Sequence, residues 1–223
     1  MPQITEVAGL VGDRTIDHLL LSVGLNEFGF ADIIHDCAAN LGGPACVSFP
    51  EGTDAYPDWR GNHEKIARLS NQYDQLARAI QDRLPEVREI YLNDYPAEVF
   101  RGGACDYLGN IGSLGFAVSA SEGAAMTRLG VAINREIRLA TGNKRTFTYL
   151  FPTRVKTQDA WNYVGDMTER FSGHAYCPRE GSFFLSLEDS LRNQGNKEGT
   201  AHPNAAGHRE FRKLLIQAIN RNR

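Results

Sequence analysis

The chain has 223 residues, of which 42% are apolar and 23% charged, with a formal net charge of -3 at pH 7. Those values are ordinary for one soluble globular domain and speak against disorder or a fibrous class. A mixed, slightly acidic surface offers neither the basic field a nucleic-acid backbone requires nor a polybasic membrane anchor, so small or neutral partners are favoured.

No apolar run approaches the roughly 20 residues of a membrane-spanning helix, and the longest, around Leu19 to Val23, has the length of a strand. The first residues, Met1-Pro2-Gln3-Ile4-Thr5-Glu6, lack the basic, apolar and small-residue succession of an export signal. Ile16 to Val23 is a nearly continuous apolar run ended by Gly24 and predicts a buried parallel strand. A helix is expected from Phe28 to Ala39, followed by a Gly- and Pro-rich loop from Leu41 to Asp58. The clearest helix runs from His63 to Leu84, where Ile66, Leu69, Tyr73, Leu76, Ala77 and Ile80 recur at three- and four-residue steps and Pro85 stops the pattern. Glu89 to Asn93 predicts a second strand, and a loop is expected from Phe100 to about Ser121. A further helix is read from Glu122 to Ala140, with Met126, Leu129, Ile133 and Ile137 on one face. Thr146 to Phe151 alternates β-branched and aromatic residues and predicts a third strand. A second long loop, from about Thr153 to His202, leads to an amphipathic terminal helix carrying Phe211, Leu214, Leu215 and Ile219.

Strands alternating with helices over residues 1–223 predict one α/β domain: a parallel sheet with right-handed crossovers and helices on both faces. Ligands bind such sheets at the carboxyl ends of the strands, so chemistry is sought after Val23, Asn93 and Phe151. No Gly-rich phosphate loop follows any strand, which argues against a nucleotide-binding domain. Cys37 and Cys46 flank a short loop, and Cys105 and Cys177 lie in Gly- or Pro-bearing segments. No C-x-x-C occurs, so a zinc ribbon or dithiol redox motif is disfavoured, and neither a metal nor a cofactor is expected. Disulfides Cys37–Cys46 and Cys105–Cys177 are the economical pairing and imply an oxidising compartment; four free thiols in a cytosolic protein are the alternative.

Two segments carry candidate chemistry. In Gly24-Leu25-Asn26-Glu27, Asn26 stands past the first strand and could aim its amide at an oxyanion; otherwise this is an ordinary turn with Asn as a helix cap. In Ala201-His202-Pro203-Asn204-Ala205-Ala206-Gly207-His208, His202 precedes a proline able to occupy a first helical turn, where an imidazole could serve as general base. The alternative is a plain helix start with His202 and His208 at the surface.

Taken together, Gly-x-Asn and His-Pro-Asn-x-x-Gly-His resemble the third and fifth sequence blocks of the SGNH (GDSL-type) serine ester hydrolases. Gly24 to Phe30 is similar to the extended third block of the secreted, disulfide-containing lipase-like subgroup, in which an aspartate is usual where Glu27 stands. Tyr95-Pro96 and Phe171-Ser172-Gly173-His174-Ala175-Tyr176-Cys177 also resemble that subgroup. The likeness spans essentially the whole chain, strongly at the two blocks and weakly in the loops.

The resemblance implies a flavodoxin-like three-layer sandwich, Asn26 as an oxyanion-hole donor and His202 as general base. It further implies acyl transfer from a small-molecule, lipid or glycan ester to serine and then to water, in an extracellular or periplasmic parent protein. Departures are plain. The acid usual three positions before the histidine is replaced by Gly199, with Glu198 one residue further, although some members orient the histidine with a main-chain carbonyl. No Gly-Asp-Ser occurs, since Gly12-Asp13 is followed by Arg14. Ser113 lacks the G-x-S-x-G spacing, Ser190 has no strand before it, and Ser22 is expected to pack inside its strand. His174 either lines the site or, more simply, holds its loop. The chain therefore reads as the C-terminal part of such an enzyme, lacking the N-terminal strand or strands with the nucleophile; a non-catalytic binding descendant is the alternative. An absent central strand would leave Ile16–Val23 with an open apolar edge that recruits another strand.

Overall fold

In the computed structural model, residues 2–29, 63–84, 86–97, 99–100, 105–111, 114–142, 161–163, 167–176, 181–196 and 198–221 are described. The organising element is the apolar strand β2 (Val87–Leu92), in which Val87, Ile90, Tyr91 and Leu92 are all buried. A strand buried on both faces needs partners on both edges. It pairs in parallel with β1 (Ile16–Leu21) on one side and with β5 (Trp161–Tyr163) on the other, giving the order β1-β2-β5. The molecule is thus a mixed α/β protein built on a parallel sheet, as its alternating elements predict.

The helices supply apolar stripes to this sheet. On α3 (His63–Arg83) the stripe is Leu69, Tyr73, Leu76, Ala77 and Ile80, and on α4 (Ala120–Gly142) it is Met126, Leu129, Ile133 and Ile137. The two helices pack against each other. Helix α1 (Pro2–Val11) joins the same core through Ile4, with Val7 and Ala8 partly buried against it, and lies on α3. A one-turn helix α2 (Leu25–Phe28) follows β1, and the C-terminal part comprises α5 (Met167–Phe171), α6 (Leu187–Gln194) and α7 (Ala205–Arg221). Among the described residues no helix is long and apolar enough to cross a membrane.

Four expectations are corrected. Strand β1 is not buried, its residues being half-buried or exposed, with Leu20 at 50%. The segment Phe100 to Ser121 is not simply a loop, because β3 (Cys105–Ile111) and β4 (Leu114–Val118) form an antiparallel hairpin there. Helix α4 starts at Ala120 rather than Glu122: Ser119 and Glu122 form a capping box, with Ser119 N–H donating to Glu122 Oε2 at 2.8 Å and Glu122 N–H donating to Ser119 Oγ at 3.2 Å. The stretch Thr153 to His202 contains β5, α5 and α6. Of the helix expected from Phe28 to Ala39 only Phe28 and Gly29 are described, and there α2 ends rather than a helix beginning; its remainder, the Leu41–Asp58 loop and the Thr146–Phe151 strand lie outside the described residues.

Strand β1 is the outer strand of the sheet as described. Its Asp17 carboxylate meets Arg88 of β2 at 2.6 Å. On the opposite face of the pair, Tyr91 donates its hydroxyl to Glu89 at 2.7 Å and His18 packs edge-on against the Tyr91 ring. No strand pairs with the other edge of β1 among the described residues.

Candidate functional site

At the carboxyl end of β1 the chain turns at Gly24, with φ 128 and ψ -35, a conformation that a side chain strongly disfavours. Tyr73 of α3 closes over this turn: its hydroxyl donates to Val23 O at 2.8 Å and occupies the space a Cβ on Gly24 would need. The cap position of α2 thus falls to Gly24, which has no side chain to offer, and not to Asn26. Phe28 is fully buried and anchors α2, and Gly29 at φ 79 ends it. Asn26, between these anchors, is exposed and its amide makes no hydrogen bond among the described residues. The capping alternative for Asn26 is therefore set aside.

Ser22 does not pack inside a strand. It lies just past the end of β1, exposed, and its Oγ accepts from Asn93 Nδ2 at 3.3 Å, which links the rims of β1 and β2. Behind this rim Asp94 is fully buried, accepting the Met167 N–H at 3.1 Å and pairing with Arg138 at 3.0 Å. Asn134 clamps Tyr95 through both of its backbone groups, at 2.9 and 2.6 Å. The Tyr95-Pro96 turn is thereby fixed to α4 and to the start of α5.

The second block is held by residues 181–186. Leu185 N–H donates to His202 O at 2.8 Å, Ala201 N–H to Leu185 O at 3.0 Å and Asn204 N–H to Phe183 O at 2.8 Å. Pro203 forms a bridge with Phe184 and stands outside α7, not in its first turn. Asn204 caps the helix instead: Oδ1 accepts the N–H groups of Ala206 and Gly207 at 2.8 and 3.1 Å, and Nδ2 donates to Ser182 O at 2.8 Å. Gly207 lets the first turn of α7 approach closely, because a Cβ there would lie 2.6 Å from Phe183 O.

His202 is exposed, and its Nδ1 lies 3.3 Å from the main-chain carbonyl of Thr200. With Nδ1 protonated toward that oxygen, Nε2 is left bare, which is the form a general base requires. The Glu198 side chain makes no hydrogen bond or ion pair with His202; the Glu198 N–H donates to Asn196 Oδ1 at 2.9 Å. Ala201, next to the histidine, has φ 61. A left-handed conformation costs a non-glycine residue about 1–2 kcal/mol.

His174 plays the local role. Its Nδ1 contacts Gly181 O at 2.7 Å and its ring stacks on Phe183 at 3.7 Å, so it ties its own loop. A shallow, open depression is lined by Glu169, Arg170, His174, Phe183 and Glu210 and includes neither Asn26 nor His202. In it the Glu210 carboxyl is held below its ordinary value, chiefly by its hydrogen bond to Lys213, against the opposing effect of desolvation and with smaller contributions from the charges of Lys213, Arg170 and His174. His208 is exposed on α7 and lies near Phe211.

Asn26, in the one-turn helix α2, and His202, in the turn before α7, are thus both exposed. No hydrogen bond joins the two side chains. Among the described residues no group of three or more His, Cys, Asp or Glu side chains is placed to hold a metal ion. Cys37, Cys46 and Cys177 lie outside the described residues, and Cys105 opens β3. No protein-family model matches the chain, and no curated protein matches it.

Proposed function

We propose that this chain is the C-terminal, histidine- and asparagine-bearing part of a carboxylic-ester hydrolase of the SGNH type, with a flavodoxin-like three-layer fold. The observation that carries the reading is the Nδ1 contact of His202 to the Thr200 carbonyl at 3.3 Å, in a motif where Pro203, Asn204 and Gly207 have structural duties. In this reading His202 Nε2 takes the proton of a serine as its oxygen attacks an ester carbonyl. Asn26 donates its amide N–H to the oxyanion that develops, an interaction commonly worth about 3 kcal/mol. His202 then returns the proton to the leaving alcohol and activates the water that frees the acid.

The serine belongs to a Gly-Asp-Ser block that does not occur in the 223 residues. The parent protein is exported, and its substrate is a small-molecule, lipid or glycan ester. The missing block also favours a second reading, a non-catalytic SGNH-like domain that binds an acylated or glycan ligand.

Reaction of the chain with a fluorophosphonate probe separates these readings. No labelling, together with an in-frame Gly-Asp-Ser in the upstream gene sequence, supports the enzyme part. No labelling and no such block hands the argument to the binding domain. Labelling would show a serine of the chain's own. An experimental structure that sets the Asn26 amide and His202 Nε2 on opposite sides of the molecule overturns the hydrolase reading.

A further inference from the structure

A serine buried in the interior of a short helix is an unusual choice, because its hydroxyl competes with the helix backbone and loses hydration for nothing unless it finds partners. Ser190 on α6 is fully buried. Its Oγ donates to Asn196 O at 2.8 Å and accepts the Gly199 N–H at 2.9 Å, closing the turn that leaves α6 through Gly195 at φ 71. From Gly199 the connection to the histidine is short. Gly199 O accepts the His202 N–H at 3.1 Å, and the next carbonyl, Thr200 O, meets His202 Nδ1 at 3.3 Å. Between them the left-handed Ala201 is held by its N–H bond to Leu185 O at 3.0 Å. The turn is gripped on one side by Leu185 and on the other by Ser190.

We propose that Ser190 is a positioning residue for His202: through Gly199 it sets the direction of the Thr200 carbonyl and so selects the Nδ1–H tautomer of the imidazole. This rests on the reading of His202 as a general base, and Ser190 acts without touching the histidine. A serine that merely filled space would be replaceable by alanine with no effect on the ring.

The test uses the full chain labelled with 15N and long-range 1H–15N spectra of the imidazoles, with His202 assigned from its disappearance in His202→Gln. Wild type is expected to show His202 with Nδ1 protonated and Nε2 bare. In Ser190→Ala the His202 pattern shifts toward the Nε2–H form that free imidazole prefers in water, while the other histidines keep theirs. If the alanine variant does not fold, Ser190→Cys, which keeps the volume with a much weaker donor and acceptor, is read in the same way. A folded variant with the His202 pattern unchanged overturns the role of Ser190 and leaves the general-base reading standing. A wild-type His202 already in the Nε2–H form overturns both.

Discussion

Replacing Gly207 with alanine tests whether the terminal motif is packed as described. In a helix the change is ordinarily favourable, since alanine gains about 1 kcal/mol over glycine. Here the new Cβ would lie 2.6 Å from Phe183 O, 3.0 Å from Pro203 Cβ and 3.2 Å from the Phe171 ring, while ordinary contact begins at 3.4 Å. None of these neighbours is the loose end of a side chain. Phe183 O is already bound to Asn204 N–H at 2.8 Å, so the strain is relieved only by moving the first turn of α7 off the 181–186 segment or by breaking that bond. Overpacking of this kind costs roughly 1–3 kcal/mol and a lost hydrogen bond roughly 0.5–1.5 kcal/mol. After the propensity gain the net is a loss of about 2 kcal/mol, or a fall in Tm of about 4–8 °C for a chain of this size. Urea unfolding monitored by circular dichroism reads the midpoint at constant slope. Gly9→Ala is the control: Gly9 lies in α1 with nothing within 4 Å of its Cβ position, and alanine there should add up to about 1 kcal/mol. A Gly207→Ala protein at least as stable as wild type would refute the close approach.

Asn204→Ala removes both the cap of α7 and the donor to Ser182 O, and should lose about 2 kcal/mol in the same urea measurement; Asn204→Asp keeps the cap but not the donor and should lose less. Thr200 Oγ1 is buried with no hydrogen-bond partner among the described residues, so Thr200→Val should be neutral or stabilising by up to about 1 kcal/mol; a clear loss would mean that the hydroxyl is satisfied. Burial raises the Asp74 carboxyl above its ordinary value against the attraction of Arg78, so the unfolded chain ionises it first and stability falls as pH rises through the carboxylate range. Asp74→Asn should therefore be the more stable protein at neutral pH, with the difference closing as pH is lowered below that range; a difference independent of pH refutes this. The edge of β1 to which no strand pairs among the described residues should draw chains together, visible as association by light scattering, and a monodisperse, thermally stable monomer would contradict it.

How much of this was readable in advance depends on the kind of signal. Helices α3 and α4 announce themselves because their buried residues recur at helical steps, and β2 because Ile90, Tyr91 and Leu92 form a consecutive buried run. The hairpin β3–β4 is hidden by Gly109, Asn110 and Gly115, which dilute the alternation; the Gly112-Ser113 dipeptide between its strands was the usable cue. The capping box at Ser119 could likewise have placed the start of α4. Strand β5 has three residues, too few for any periodicity, and is a strand because β2 offers an edge to pair with. Helix α1 carries Pro2 at its first position and Ile4, Val7, Ala8 and Val11 at helical spacing, a pattern masked by the polar look of the first six residues.

The site divides along the same line. That Asn26 follows a strand end and His202 precedes a helix follows from local pattern, whereas the group that faces the histidine does not: a main-chain carbonyl has no sequence signature, and the absent acid at Gly199 marks only who is not there. The structure also separates the duties within the terminal motif. Asn204 caps α7 and ties the 181–186 segment, Pro203 bridges Phe184, and Gly207 permits close packing, so stability accounts for each of them. It does not account for His202, whose ring is exposed and would lose little packing if replaced. Nor does it account for alanine at φ 61 in position 201, where glycine would be free of strain. On the proposed reading of His202 as a general base, the contacts of this turn serve to present the exposed imidazole, and the tautomer of that ring is the property that tests it.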